Sequence, residues 1–230
     1  MAMQLSDMRE EARYIIKRTS LAFADTRINT YLNWAQQSIA DEHTYEEMRT
    51  TWSGTSIEIG GSRRRYPFPT NMKDIYTLVI VDGTSSRKLG YIPARSFDIS
   101  TPYPEAYSTA KPSMYVDYGA NFELWRIPDQ DYVMLLRCSL YPTAFAVDTD
   151  VSSLVNKDEL IIASAGSKML RVLREIEDAA YWETHVNKLT KLAHESDHSG
   201  EDWVPVARPF NSQGTSGLDH TSPFYSLRRT

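Results

Sequence analysis

A chain of 230 residues with a net charge of −5 and a pI near 5.6 has room for one large domain or two small ones. Its single cysteine, Cys138, excludes an internal disulfide and suits an intracellular fold or one indifferent to redox. No apolar run approaches the ~18 residues of a membrane span and the N-terminus carries no signal-peptide core, so the sequence predicts a soluble protein, not secreted by that route and with no membrane partner.

In chain order, Leu5, Met8, Ala12 and Ile15 recur at helical spacing and predict a helix over residues 5–18, with Asp7 and Glu10 as a capping pair. A second helix is expected after Asp25 as N-cap, with Ile28, Leu32, Ala35 and Ile39 as its stripe and Trp34 to one side. Residues 41–49 either continue it or form a short extra turn.

From Thr50 the period falls to two. "TTWSGTSIEIGG" suggests a strand, a break and a further strand, and "RRRYPFP" is extended by its prolines. "DIYTLVIVDG" is a strong strand ending in a turn at Asp82-Gly83, and "RKLGYIP" a weaker one. Residues 101–112 form a Pro-rich loop, "SMYVDYG" is another strand, and "FELWRIPDQDYVMLLRCSLYP" reads as a β-hairpin. In that last segment Phe122 and Leu124 alternate before Pro128-Asp129-Gln130-Asp131, and Tyr132, Met134, Leu136 and Cys138 after it.

Helical periodicity returns after residue 147. Asp158 is the expected cap of a helix reaching about Leu173, and a longer helix carries Trp182, Val186, Leu189 and Ala193. Residues 196–230 are rich in Ser, Gly and Pro, without period. The order predicts an α+β protein: a helical bundle built from both chain ends (1–49 and 148–195), an inserted antiparallel β-sandwich or barrel (50–147), and an extended C-terminal tail (196–230). The two helical parts must meet to bury their stripes, because each is too short to be stable alone. The acidity lies in those helical parts; the insert is close to neutral.

Candidate chemistry is sparse. His194 and His198 stand four apart on a helix, but no third zinc ligand is nearby, and the plainer reading is a solvated helix end. Arg63, Arg64 and Arg65 form the one dense basic run, able to contact phosphate with Tyr66 stacking beside it, or to rim a protein interface. Cys138 alternates with Leu136 and Met134 and reads as core. "DQD" at 129–131 and "DTD" at 148–150 have the chemistry of calcium ligands but suit turns better. No catalytic triad, phosphate loop or dinucleotide fingerprint is present, so the expectation is a non-enzyme with no cofactor and no metal.

The order of features resembles the head-to-tail adaptor, or neck, proteins of tailed bacteriophages. The resemblance is carried by "INTYLNWAQQSIADE" (28–42) with its Asn/Ala-Gln core, by "YPFPTNMKDIYTLVIVDG" (66–83), by "FELWRIPDQDYVMLLRCSLYPTAF" with Tyr141-Pro142 at its exit, by "SSLVNKDELIIASAGSKML", and by Ala180-Tyr181-Trp182 in the last helix. It spans about residues 5–195. It implies a structural subunit of a ring, commonly of twelve copies, in the virion neck below the portal, assembled in the host cytoplasm. The implied partners are further copies of itself, the portal, the next tail or neck protein, and DNA that passes through without sequence-specific binding.

Within that role, Trp203, Phe210, Phe224, Tyr225 and Leu227 are the expected anchors of the tail on the portal or a neighbouring subunit, being apolar points on a polar strip. Arg63, Arg64 and Arg65, with the loop at 101–112, are the expected tail-side contacts. Two rival readings are a nucleic-acid-binding module using Arg63–Arg65, with salt-dependent affinity for free DNA, and a hydrolase or carbohydrate-binding protein with a pocket in the β insert.

Overall fold

The computed structural model describes residues 2–17, 23–57, 65–83 and 85–198, with the side chains of 52–57 and of His198 left out. The chain divides into two compact units, 1–191 and 192–230. All of the elements belong to the first unit, apart from the last turns of the final helix. The described residues form an α+β structure with five helices and two four-stranded sheets.

Helix α1 is Leu5–Ile16 and α2 is Asp25–Glu42. The expected stripes are the buried faces: Leu5, Met8, Ala12 and Ile15 on α1, and Ile28, Leu32, Ala35 and Ile39 on α2. Both pack on α4, Asp158–Val172. That helix is buried almost all round, including Ile161, Ala165 and Met169, as a helix enclosed by others must be. The helices from the two ends of the sequence therefore do meet.

The caps differ from expectation. Gln4, Ala24 and Lys157 occupy the N-cap positions, none with a side-chain cap bond. The first amides of α1 donate instead to distant backbone: Leu5 N to Asp150 O at 2.8 Å and Ser6 N to Asp148 O at 3.1 Å. Freed from capping, Asp25 accepts from Arg9 and Arg13 on α1, and Arg9 also pairs with Asp148. Asp158 accepts from Met3 N at 2.9 Å. Long-range partners replace the local ones that sequence spacing suggests. A 3₁₀ turn at Glu46–Met48 follows α2, as the short extra turn expected there.

The first sheet has the order β1-β8-β3-β4, with β1 Arg49–Ile57, β3 Met72–Asp82, β4 Ser85–Lys88 and β8 Tyr132–Leu140. β1 is one strand through Ile57, with a bulge around Gly54 where a break was expected. β3 turns into β4 at Asp82-Gly83, where Gly83 takes φ +57°, a conformation that favours glycine. The second sheet has the order β2-β7-β6-β5, with β2 Arg65–Pro67, β5 Gly90–Tyr91, β6 Met114–Tyr118 and β7 Asn121–Trp125. It is mixed, not purely antiparallel, because β5 and β6 run parallel. Parallel neighbours need a crossover, and α3, Ala94–Ser100, supplies it. Sequence pattern does not announce this helix: seven residues with one buried side chain, Phe97, give no readable period.

The expected hairpin at 122–142 does not exist. β7 pairs with β6 and β2, while β8 pairs with β1 and β3, so residues 126–131 carry the chain from one sheet to the other. The alternation is real but ambiguous. It reports which side chains are buried and not which strand lies alongside. Both strands send those side chains into one core shared by the sheets, where Phe122 and Leu124 meet Leu78, Ile80, Met134, Leu136 and Cys138. The true hairpin joins β6 to β7 across Gly119, at φ +66°.

Two strips of polar contacts tie the helices to the sheets. Asn33 and Gln36 on α2 hold the returning segment: Asn33 exchanges bonds with the Phe145 backbone at 2.8 and 3.2 Å, Gln36 donates to Thr143 O at 2.9 Å, and Ser152 donates to Gln36 at 2.7 Å. This accounts for polar residues on the buried side of α2. At the other strip, Lys73 on β3 donates to the carbonyl of Ala40 near the C-terminal end of α2, where a cation is favoured. Beside it the buried Lys157 pairs with Glu47 and lies 4.2 Å from the Tyr45 ring centroid. Lys157→Met is expected to cost about 3 kcal/mol by leaving the largely buried Glu47 without a cation, with only the Val155 amide at 3.1 Å to meet it, and Lys157→Met/Glu47→Leu to recover most of that. Urea midpoints of the two variants check this; equal loss in both would mean that packing, not charge, holds the corner.

Candidate functional site: a surface for assembly

Helix α5, Ile176–His198, departs from the others. Within 176–191 its single fully buried residue is Ala179; Trp182, Val186 and Leu189 are half-buried, and Ile176 and Tyr181 are largely exposed. Polar contacts hold this part of it: Lys17 to Asp178 at 3.2 Å, Arg171 to Glu183, and His185 Nε2 to Glu159 Oε1 at 3.1 Å. This 16-residue stretch therefore keeps half of its apolar stripe at the surface, with Ile176 and Tyr181 beside it.

Between α1, α4 and α5 lies an open groove of about 360 Å³. Ile15, Ile162 and Ala163 form its floor, Tyr14 and Trp182 its walls, and Glu11 and Glu159 its acidic rim. Tyr14, at 82% exposure, projects from α1 away from the buried stripe. Sequence pattern gives no sign of this groove because Tyr14 lies outside the stripe and Trp182 within one; only the packing shows that the α5 stripe is no more than half covered.

Other exposed aromatics are spread over both parts, Trp34 on α2 and Tyr91, Tyr103 and Tyr118 in the β region. Near Trp34, Lys168 is half-buried and its amine reaches the Trp34 carbonyl at 3.5 Å; burial pushes its pKa down. Exposed tyrosine and tryptophan are typical of protein interfaces.

The expected site residues fare unevenly. Arg63 and Arg64 lie outside the described residues, as do Trp203, Phe210, Phe224, Tyr225 and Leu227. Arg65 opens β2, where its guanidinium pairs with the buried Glu123 and lies 5.9 Å from the Tyr118 ring. Its Nε is thus used within the sheet, while the side chain stays 60% exposed. Tyr66, offered as a stacking platform, is buried against Phe122 at 5.5 Å between ring centroids and is core. The loop at 101–112 is tied down by Tyr107 on Trp125, Ala110 N to Ile127 O at 2.9 Å and Lys111 to Asp82 at 2.8 Å, with Tyr103 exposed at its tip.

Cys138 is fully buried in the core between the sheets, and burial pushes its thiol pKa up, so it is core as expected. The "DTD" segment is a turn: Asp150 accepts from Ala146 N and Val147 N at 2.6 and 2.8 Å, which lowers its pKa, while Asp148 faces Arg9. In "DQD", Asp129 accepts from the Tyr132 hydroxyl at 2.6 Å. Burial, and then that bond, push the Tyr132 pKa up to about 12. His194 lies near the end of α5 in the second unit. Among the described residues no group of three or more His, Cys, Asp or Glu side chains is placed to hold a metal ion. No described helix is long and apolar enough to cross a membrane.

Helices contributed by both chain ends, a two-sheet region between them and an open aromatic groove are accompanied by a match to a class of bacteriophage head–tail adaptors. The family model for the SU10 adaptor protein matches residues 3–209, and the chain belongs to this family. No curated protein matches it. The family makes the chain a structural component of the virion that associates with other virion proteins.

Proposed function

We propose that the protein forms a ring, of twelve copies, in the virion neck between the portal and the next tail or neck protein, and that DNA passes through its centre. Assembly takes place in the host cytoplasm, and the ring has no catalytic task. The observation that carries this is the packing of α1 and α2 on α4, with the sheets leaving and re-entering the helices between them. In a member of the adaptor family, a helical part and a two-sheet part would supply separate faces for lateral and axial neighbours. In this reading the helical parts, 1–49 and 148–195, are a bundle, 50–147 is an inserted β-sandwich, and 196–230 is an extended tail. The excess acidity of the helices suits a channel that repels phosphates and lets DNA slide.

Arg63, Arg64 and Arg65 with the loop at 101–112 face the tail, and Trp203, Phe210, Phe224, Tyr225 and Leu227 anchor the C-terminal strip on the portal or a neighbouring copy. Burying each large apolar side chain contributes roughly 1.5–3 kcal/mol, less than the cost of ordering the whole strip, so repetition around a ring supplies the remainder.

Electron micrographs and native mass of the full chain with and without portal test the ring; a closed monomer that never joins portal would reject it. Truncation after Ser196 is expected to leave a folded protein that no longer stays on portal. Unchanged portal affinity would make the strip a passive extension.

A further inference from the structure

We propose that the groove between α1, α4 and α5 receives residues 223–229 of an adjacent copy of this chain. The proposal rests on the ring reading, since it needs neighbours. The groove asks for a definite chemistry. Its floor and walls are apolar and aromatic, and its volume of about 360 Å³ falls among those of ligand clefts. Its rim is acidic: Glu11 has no cationic partner among the described residues, and Glu159 is met by His185 alone, with most of its side chain exposed. An occupant suited to it presents large apolar side chains with two positive charges close by, one for each carboxylate.

The segments of this chain outside the described residues can be compared on that requirement. Residues 18–22 offer one arginine and a leucine, 58–64 offer two arginines with a single large apolar residue, Ile59, and 199–222 offer Trp203, Val204, Val206 and Phe210 around a single arginine, Arg208, for two carboxylates. Residues 223–229, "PFYSLRR", alone combine Phe224, Tyr225 and Leu227 with the adjacent pair Arg228 and Arg229. The proline ahead of them limits the conformations to be lost on binding. Residues 199–222 precede this segment, and a chain of that length spans up to roughly 80 Å when extended, enough to leave its own subunit. Phe224 and Leu227 fill the space between Tyr14 and Trp182, and the arginines meet Glu11 and Glu159. Each copy would then clasp the next, closing a ring without any enlargement of the helical contact.

Cross-linking tests this with the full chain. Tyr14→Cys and Ser226→Cys are made in separate preparations, mixed and oxidised; Cys138 is buried and stays out of the reaction. The expected product is a mixed disulfide joining the two different chains. Glu11→Lys/Glu159→Lys is expected to weaken the association about fivefold or more, as for rim ion pairs, and Arg228→Glu/Arg229→Glu in the partner chain to restore it. If one chain carrying both cysteines closes on itself as a monomer, the tail docks at home and the proposal is overturned. If rings form on portal and no cross-link appears, the groove assignment fails while the ring reading stands. If the protein stays monomeric beside portal and gives no cross-link, both fail.

Discussion

Gly166→Leu is expected to destabilise the helical part by about 3 kcal/mol or more. At Gly166, α4 runs so close to α1 that a Cβ would sit 2.8 Å from Ile15 Cγ2 and 3.2 Å from its Cδ1. The obstructing methyl belongs to a β-branched side chain on a helix, whose χ1 has one strongly preferred setting, so it cannot swing aside. Gly166→Ala should cost less, because the clash is offset by the helix preference of alanine over glycine, about 1 kcal/mol. Ile15→Ala should recover part of the loss in Gly166→Leu, since the cavity then accommodates the new side chain. Urea unfolding of the three variants measures this. A wild-type midpoint for Gly166→Leu would show that the helices are free to separate at this point.

Phe122→Ala should cost about 3–5 kcal/mol, a large share of the ~5–15 kcal/mol that a domain has. Its ring is fully buried and stands 5.5 Å from that of Tyr66 and 5.1 Å from that of Phe68, at the centre of the core shared by the sheets. Truncation leaves a cavity that neighbours on two sheets cannot jointly close. Val133→Ala on β8, half exposed, should stay within about 0.5 kcal/mol. Thermal or urea midpoints decide. Equal effects at the two positions would mean that the sheets do not share the core.

The helical stripes are legible in the sequence because burial of one helix face imposes its period directly: Leu5, Met8, Ala12 and Ile15 could serve no other arrangement so well. The Asp82-Gly83 turn is legible because its backbone asks for glycine. Three features are not legible. The caps mislead because Asp25 and Asp158 have strong partners far along the chain, in Arg9, Arg13 and the Met3 amide, which no local rule anticipates. The pairing of β7 and β8 misleads because their alternation is the same whether they lie side by side or face each other across a core. The groove is invisible because it depends on what α5 fails to cover. Polar residues within α2 carry information that pattern alone does not decode: Asn33 and Gln36 are explained by the backbone they bind more than a hundred positions away.

The bonds from the start of α1 to Asp148 and Asp150 bear on the timing of synthesis. When α1 and α2 leave the ribosome, the residues that satisfy the first amides of α1 and bury both stripes have not been made. α4 is complete only at Val172, some 130 positions after α2 ends. At about 5–20 residues per second this is a delay of roughly 6–26 s. During it the sheets can close, since β8 ends at Leu140. α1 and α2, made well before their partner α4, are thus expected to complete their packing after the β region has closed.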